Sequence, residues 1–163
     1  MTSRAWVTAL LAFLLAGPAC SKAVVSPDGR WIGPAARPPE IGEDPDASRN
    51  AAAAREAMRY LGTPYVRAGS NPAGFDCSGL VVYVFARVGV SIPHNAAQQY
   101  RYGTAVPRDD LVPGDLVFFD RLRHNGIYLG DGRFIHATKP GGVKLARLDN
   151  EWFSSRWVGA RRL

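Results

Sequence analysis

Cysteine is nearly absent from this chain: it occurs twice in 163 residues, at Cys20 and Cys77. Two cysteines exclude a disulfide framework and a cysteine-rich zinc site. Long apolar runs are also missing. The longest, Ala5 to Ala16, has 12 residues, and a membrane-spanning helix needs about 20. No internal repeat occurs. There is no basic run and no helix-spaced Lys/Arg stripe, so nucleic acid is not an expected partner. The net charge of +6 instead suits an anionic surface such as a wall polymer or a membrane. What is present is ordinary: 47% apolar and 21% charged residues, enough for one globular domain, read as a monomer.

The first 20 residues read as an export signal. Arg4 forms a short basic start, Ala5 to Ala16 an apolar segment of signal length, and Ala16-Gly17-Pro18-Ala19 a small-residue site. Two readings of Cys20 stand. The segment resembles a bacterial lipoprotein signal, which implies lipidation of Cys20 and a membrane anchor. Gly17 stands where that pattern usually carries Leu. The other reading is ordinary cleavage near Ala19, which frees a soluble protein. Either way the protein is expected outside the cytoplasm, in the periplasm or cell envelope, or secreted. Residues 21–46 read as a linker, broken by Pro27, Pro34, Pro38, Pro39 and Pro45 and lacking apolar periodicity. Residues 47–163 are the folded domain.

That domain is organised around Phe75-Asp76-Cys77-Ser78-Gly79-Leu80-Val81. The apolar run from Leu80 to Phe85 reads as a buried helix with Asp76 as its N-cap. Cys77 then lies in the first turn, where free amides and the helix dipole favour negative charge. The thiol is expected to shift toward thiolate; the competing reading is a cysteine that merely starts a core helix. Before it, Ala47 to Leu61 reads as an Ala-rich helix stopped by Gly62 and Pro64. After it, Asn95 to Tyr102 reads as a short helix capped by Asn95. The period then changes. Asp115–Phe119, His124–Leu129, Arg133–Ala137, Gly142–Arg147 and Arg156–Arg161 read as strands. Helices first and strands later indicate an α+β domain with a largely antiparallel sheet.

A cysteine nucleophile needs a base and a group that orients the base. Three histidines are available, His94, His124 and His136. His124 and His136 lie on strands joined by Gly130-Asp131-Gly132, and their relation depends on the turn. A plain two-residue turn puts them on opposite faces. A three-residue loop pairs Leu129 with Arg133 and sets His136 opposite Gly126, diagonal to His124 on the same face. The three-residue loop, or an equivalent bulge, is the expectation, with Gly132 at positive φ. Insertion or deletion of one residue there is expected to abolish activity. Gly126 is expected to clear the approach of the Cys77 helix.

Four blocks, Asp76-Cys77-Ser78-Gly79-Leu80-Val81, Pro113-Gly114-Asp115-Leu116-Val117-Phe118-Phe119, His124-Asn125-Gly126-Ile127-Tyr128-Leu129-Gly130 and Phe134-Ile135-His136-Ala137, have the order and spacing of the NlpC-type cell-wall endopeptidases. These are papain-like cysteine peptidases of bacteria. The resemblance covers about residues 47–163. It implies N-terminal helices packed on a five- to six-stranded sheet. Cys77 matches the family nucleophile, His124 the base and His136 the residue that orients it. Tyr65 matches a tyrosine near the oxyanion, and Asp76 and Ser78 match residues that bind the free amine of a stem peptide. The implied reaction is hydrolysis of peptidoglycan stem peptides between D-glutamate, through its γ-carboxyl, and a diamino acid such as meso-diaminopimelate, with no cofactor and no metal. The chain departs from the family pattern at Arg67, Ala68, His94 and Asn125, and these departures bear on substrate preference. Two other readings are a catalytically silent envelope or wall-binding lipoprotein and a zinc site built from Cys77, His124 and His136. The intact Cys-His-His set argues against the first, and the suitability of an Asp-capped helix start for a thiolate nucleophile against the second.

Overall fold

The computed structural model describes residues 45–163; the expected signal, Cys20 and nearly all of the expected linker lie outside them. Helix α1 (Pro45–Ala57) starts two residues earlier than expected. Proline is well placed there, because the first helical N–H has no partner to lose. A turn of 3-10 helix (Met58–Tyr60) follows. Two-residue strands β1 (Ser70–Asn71) and β2 (Gly74–Phe75) pair across a stretch that reads in the sequence only as a Gly/Pro-rich loop. Helix α2 (Cys77–Arg87) begins where the sequence places it. The extended Asp76 caps it, and its side chain accepts from the Gly79 amide at 2.7 Å. Helix α3 (Ala96–Gln99) is capped in the same way by Asn95.

The strands are β3 (Thr104–Val106), β4 (Leu116–Phe119), β5 (His124–Gly130), β6 (Arg133–Thr138), β7 (Gly142–Arg147) and β8 (Trp157–Arg162), with helix α4 (Glu151–Ser154) between the last two. They form one antiparallel sheet in the order β3-β8-β4-β5-β6-β7. Side chains alternate across it. One face carries Leu116, Phe118, Ile127 and Ile135, packed with Leu80, Val81, Val84 and Phe85 of α2 and with Ala53 and Ala57 of α1. Each of the four α2 side chains is fully buried, worth about 1.5–3 kcal/mol apiece relative to exposure. The other face carries Val117, Phe119, Tyr128 and Phe134, covered by Phe153 of α4 and by Trp157.

The β5–β6 hairpin has the expected parity, reached by the bulge that stood as the alternative to a three-residue loop. Ile127 pairs with Ile135 and Tyr128 with Phe134, and then Gly130 pairs with Arg133. The connection is thus a two-residue turn, Asp131-Gly132, both at positive φ (52° and 70°), with Leu129 bulged out just before it. A bulge adds one residue to one strand, which restores the register that a plain two-residue turn would lose. The bulge makes deletion of Leu129 a different case from deletion within Gly130-Asp131-Gly132. Removing Leu129 leaves Tyr128 opposite Phe134 and converts the bulge into a regular hairpin. The expected result is a less stable domain, through lost Leu129 packing, whose activity persists. Loss of activity in a folded ΔLeu129 variant contradicts this register argument.

The two edges of the sheet differ. β3 has three residues and ends against Pro107. β7 is met by the loop after α1, where the Gly62 amide donates to the Val143 carbonyl and the Val143 amide to the Thr63 carbonyl, both at 2.8 Å.

Candidate active site

Four of the singled-out residues gather at the start of α2. The Asp76 carboxylate accepts from the amides of Gly79 (2.7 Å) and Ala68 (3.0 Å), from the Ser78 hydroxyl (3.2 Å) and from His94 Nε2 (2.8 Å). Asp76 is therefore the hub of the loop–helix junction as well as a cap. Tyr65 is bridged to Phe75 and lies close enough to Cys77 for the thiolate charge to act on it. Burial first, then that charge and Asp76, push its hydroxyl pKa up. Two departures from the family pattern now have a physical reading. His94 supplies a donor to Asp76. Ala68 holds φ at 57°, a left-handed conformation that costs a residue with a Cβ roughly 1–2 kcal/mol.

Cys77 is half-buried, and its thiol donates to the Arg123 carbonyl at 3.8 Å. No hydrogen bond joins it to His124 among the described residues. The expected shift toward thiolate is reversed. The amides of Asn125, Ser78 and Cys77 do favour the anion, but burial and the neighbouring Asp76 charge outweigh them and push the thiol pKa up. The cap that orders the helix start is itself an anion, and the start of β5 covers the sulfur. The thiol rests protonated.

His124 and His136 share a face of the sheet, as parity required, and His124 Nε2 lies 2.7 Å from His136 Nδ1. The face is not the one α2 covers. Both rings sit among the aromatics of the opposite face: His124 is stacked on Phe153 at 6.2 Å, and His136 is edge-on to it at 5.3 Å. The thiol lies at the start of β5, against the Arg123 carbonyl and the Asn125 amide, which flank His124 along the chain. Gly126 also serves a different neighbour from the one expected. A Cβ there would lie 2.6 Å from the Ile135 carbonyl and 3.2 Å from the His136 Cβ, so the glycine admits β6 and its imidazole, not α2.

With Nε2 committed to His136, His124 has only Nδ1 left to serve a thiol. For Nδ1 to accept a proton, Nε2–H must donate to His136 Nδ1, which leaves the His136 proton on its Nε2. That atom is buried without a hydrogen-bond partner among the described residues. His136 is 1% exposed. Burial lowers the His124 pKa from 6.5 to about 4; burial, then the His124 and Lys144 charges, lower that of His136 from 6.5 to about 3. Both rings are neutral in the fold. Below about pH 6.5 the unfolded chain takes up protons that the folded chain refuses, so stability is full above that pH and falls as pH drops toward 4. The slope is about 1.4 kcal/mol per pH unit for each imidazole. Urea unfolding at pH 7 and pH 5 should show this loss, and His136→Asn should reduce it. Equal stabilities at the two pH values contradict buried neutral rings.

A buried polar network ties the two halves of the site. Asn125 Nδ2 donates to Gln99 Oε1 at 2.5 Å, and Gln99 Nε2 donates to the carbonyls of Ser78 (3.1 Å) and Pro93 (2.8 Å). Sequence reasoning missed Gln99. It also missed Trp152 and Phe153, which wall the imidazoles from α4; Asn150, whose side chain accepts from the Trp152 amide, was the available signal. The described residues contain no group of three His, Cys, Asp or Glu side chains placed to hold a metal ion. They include no helix long and apolar enough to cross a membrane.

The NlpC/P60 family's sequence profile matches residues 62–162. The chain belongs to the NlpC/P60 family. It is 40% identical over 139 residues to the gamma-DL-glutamyl hydrolase of Bacillus subtilis, covering 81% of this chain and 33% of that one. It is also 40% identical over 111 residues to the probable endopeptidase p60 of Listeria monocytogenes, covering 66% and 23%. The chain thus spans a third or less of these two relatives. Among solved structures, the NlpC/p60 domain of the peptidoglycan hydrolase SagA is 37% identical with a TM-score of 0.63, covering 70% of this chain and 98% of that one. The peptidoglycan hydrolase RipB of Mycobacterium tuberculosis is 31% identical with a TM-score of 0.63, covering 75% and 68%. The NlpC/P60 domain has the papain-like α+β fold expected, with six strands in its main sheet.

Proposed function

We propose that the protein is a cysteine endopeptidase of peptidoglycan stem peptides that cuts between γ-linked D-glutamate and a diamino acid. The observation that carries this reading is a thiol at the start of α2 that reaches the Arg123 carbonyl, next in the chain to His124, whose imidazole is bonded to His136 at 2.7 Å. The name of the B. subtilis relative, a gamma-DL-glutamyl hydrolase, supports a γ-glutamyl bond, and that of SagA, a peptidoglycan hydrolase, supports the polymer. His124 Nδ1 takes the thiol proton as Sγ attacks the carbonyl carbon. The pair starts neutral, so this transfer accompanies attack and does not precede it. Amides at the start of α2 stabilise the oxyanion, with Tyr65 beside them. His124 then returns the proton to the leaving amine, the thioester forms, and a water activated by His124 clears it. His136 holds the His124 ring through Nδ1. Asp76 and Ser78 receive the free amine of the stem peptide. The test is digestion of purified peptidoglycan with mass analysis of the fragments. Fragments ending in γ-D-glutamate support the bond assignment; fragments cut elsewhere in the stem displace it.

We further propose that Cys20 is lipidated and anchors the mature protein to a bacterial membrane. Arg4, the short apolar run and the small residues before Cys20 support this. Mass spectrometry of the membrane fraction from a bacterial host should find a mature N-terminus at Cys20 carrying acyl chains. A lipid-free N-terminus at Ser21 or beyond would rule it out and leave a soluble exported protein.

A further inference from the structure

The cleft beside His124 and His136 has a volume of about 730 Å³; four cations, Arg123, Lys139, Lys144 and Arg147, and two carboxylates, Asp120 and Asp149, line it with Trp152. Two of the cations are already matched. Arg123 pairs with Asp120 at 2.9 Å, and Arg147 grips both oxygens of Asp149. The other two are not. Lys144 Nζ reaches only the Pro140 carbonyl, at 3.5 Å. Lys139 Nζ lies over the Tyr65 ring, 5.3 Å from its centre. Neither ammonium meets a carboxylate among the described residues. The β6–β7 register sets Lys144 directly across from His136, and its charge helps to keep that imidazole neutral.

The direction of the reaction decides what lies over these lysines. His124 must hand its proton to the leaving amine, so the residue that carries this amine sits on the imidazole side of the sulfur, in this cleft. We propose that Lys139 and Lys144 form a carboxylate-reading subsite for the residue on the leaving side of the scissile bond. The proposal rests on the endopeptidase reading above. A diamino dicarboxylic acid ends its side chain in a carbon bearing both an amine and a carboxylate; lysine ends in an amine alone. Two unpaired ammonium groups hold the carboxylate of the first, whose end is a zwitterion, and repel the uncompensated ammonium of the second, so selection comes from repulsion as well as attraction. Trp152, 42% exposed, provides the apolar wall along which the methylene chain of either side chain lies.

The test uses two synthetic peptides that differ only after γ-D-glutamate, one with meso-diaminopimelate bearing a free distal carboxylate and one with L-lysine. Wild type should prefer the first in kcat/KM by about tenfold at low salt, the size expected of two solvent-exposed ion pairs, with the difference carried by KM. High salt should shrink the ratio. The Lys139→Met/Lys144→Met double variant should bring the ratio near one, and Lys144→Glu should turn the preference toward the lysine peptide. Both positions are exposed, so folding is not at issue. A wild-type ratio near one, or a ratio that survives the double substitution, overturns the subsite while leaving the endopeptidase reading intact. Hydrolysis of neither peptide by wild type overturns the endopeptidase reading, and the subsite with it.

Discussion

Alanine at Cys77 is expected to abolish hydrolysis of purified peptidoglycan, while the domain should still unfold in one transition near the wild-type midpoint. The thiol makes one long hydrogen bond, to the Arg123 carbonyl at 3.8 Å, so its removal costs the fold little. It costs the reaction its nucleophile, and the expected loss is on the order of 10⁴-fold or more. His124→Ala should be as damaging, because the other acceptors are engaged: the Asp76 carboxylate accepts four donors, and His136 presents its only accepting nitrogen to His124. This second substitution also opens a gap among Phe119, Trp152 and Phe153, for which roughly 1–3 kcal/mol is expected. Circular dichroism separates that cost from the chemical one. His136→Ala should keep a measurable fraction of activity, since an orienting group can be replaced in part by water. Wild-type turnover by the Cys77 or His124 variant would sink the cysteine-peptidase assignment.

Gly79→Ala is expected to be among the most destructive single-methyl changes in the domain. A Cβ at this position would stand 1.9 Å from the Gly69 carbonyl oxygen, 2.9 Å from His94 Nε2 and 3.0 Å from Asp76 Oδ1. The Gly69 contact is to backbone, and that same carbonyl accepts the Asp76 amide at 2.9 Å. Neither the helix nor the loop can retreat without breaking the Asp76 junction. Overpacking against fixed backbone costs about 3 kcal/mol or more, a fall in Tm of roughly 10–20 °C for a domain of this size. Activity should fall with it, because displacing residue 69 moves Ala68 and Tyr65. A Gly79→Ala protein with a wild-type Tm would show that the loop is looser than this packing implies. The glycine in Asp76-Cys77-Ser78-Gly79 is thus a steric requirement of the site and takes no part in the chemistry.

The parts legible in the sequence were those set by local chemistry or by parity. Asp76 before an apolar run announces a capped helix, and the cap has the expected geometry. Strand parity tied a shared face for the two imidazoles to a three-residue loop or a bulge; the bulge is there, and they share the face. The bulge at Leu129 was named only as the equivalent of a three-residue loop, because both restore the same register and side-chain period does not separate them. The thiol pKa was misjudged for a different reason. Helix amides can be read from a motif, but the burial that outweighs them comes from β5, whose start lies 47 residues downstream of Cys77. Gly126 was assigned to the wrong neighbour because its packing partner is set by the sheet and not by its own strand. Helix α4 has four residues, too few to leave a period, yet it brings the two aromatics that wall the imidazoles. Lys144 carries no motif at all; only the β7 register sets it beside His136.

The two ends of the sheet bear on how the domain behaves among copies of itself. An open strand edge offers a ladder of free amides and carbonyls on which a second chain can grow. At β7 that ladder is already occupied where it begins, by Gly62 and Thr63 on Val143, and beyond it Lys144 and Arg147 set like charges against any approaching copy. At β3 the ladder is three rungs long and Pro107 withholds the next donor. Neither edge is a template for fibrous growth, so crowding of many copies on one surface brings them close without joining their sheets.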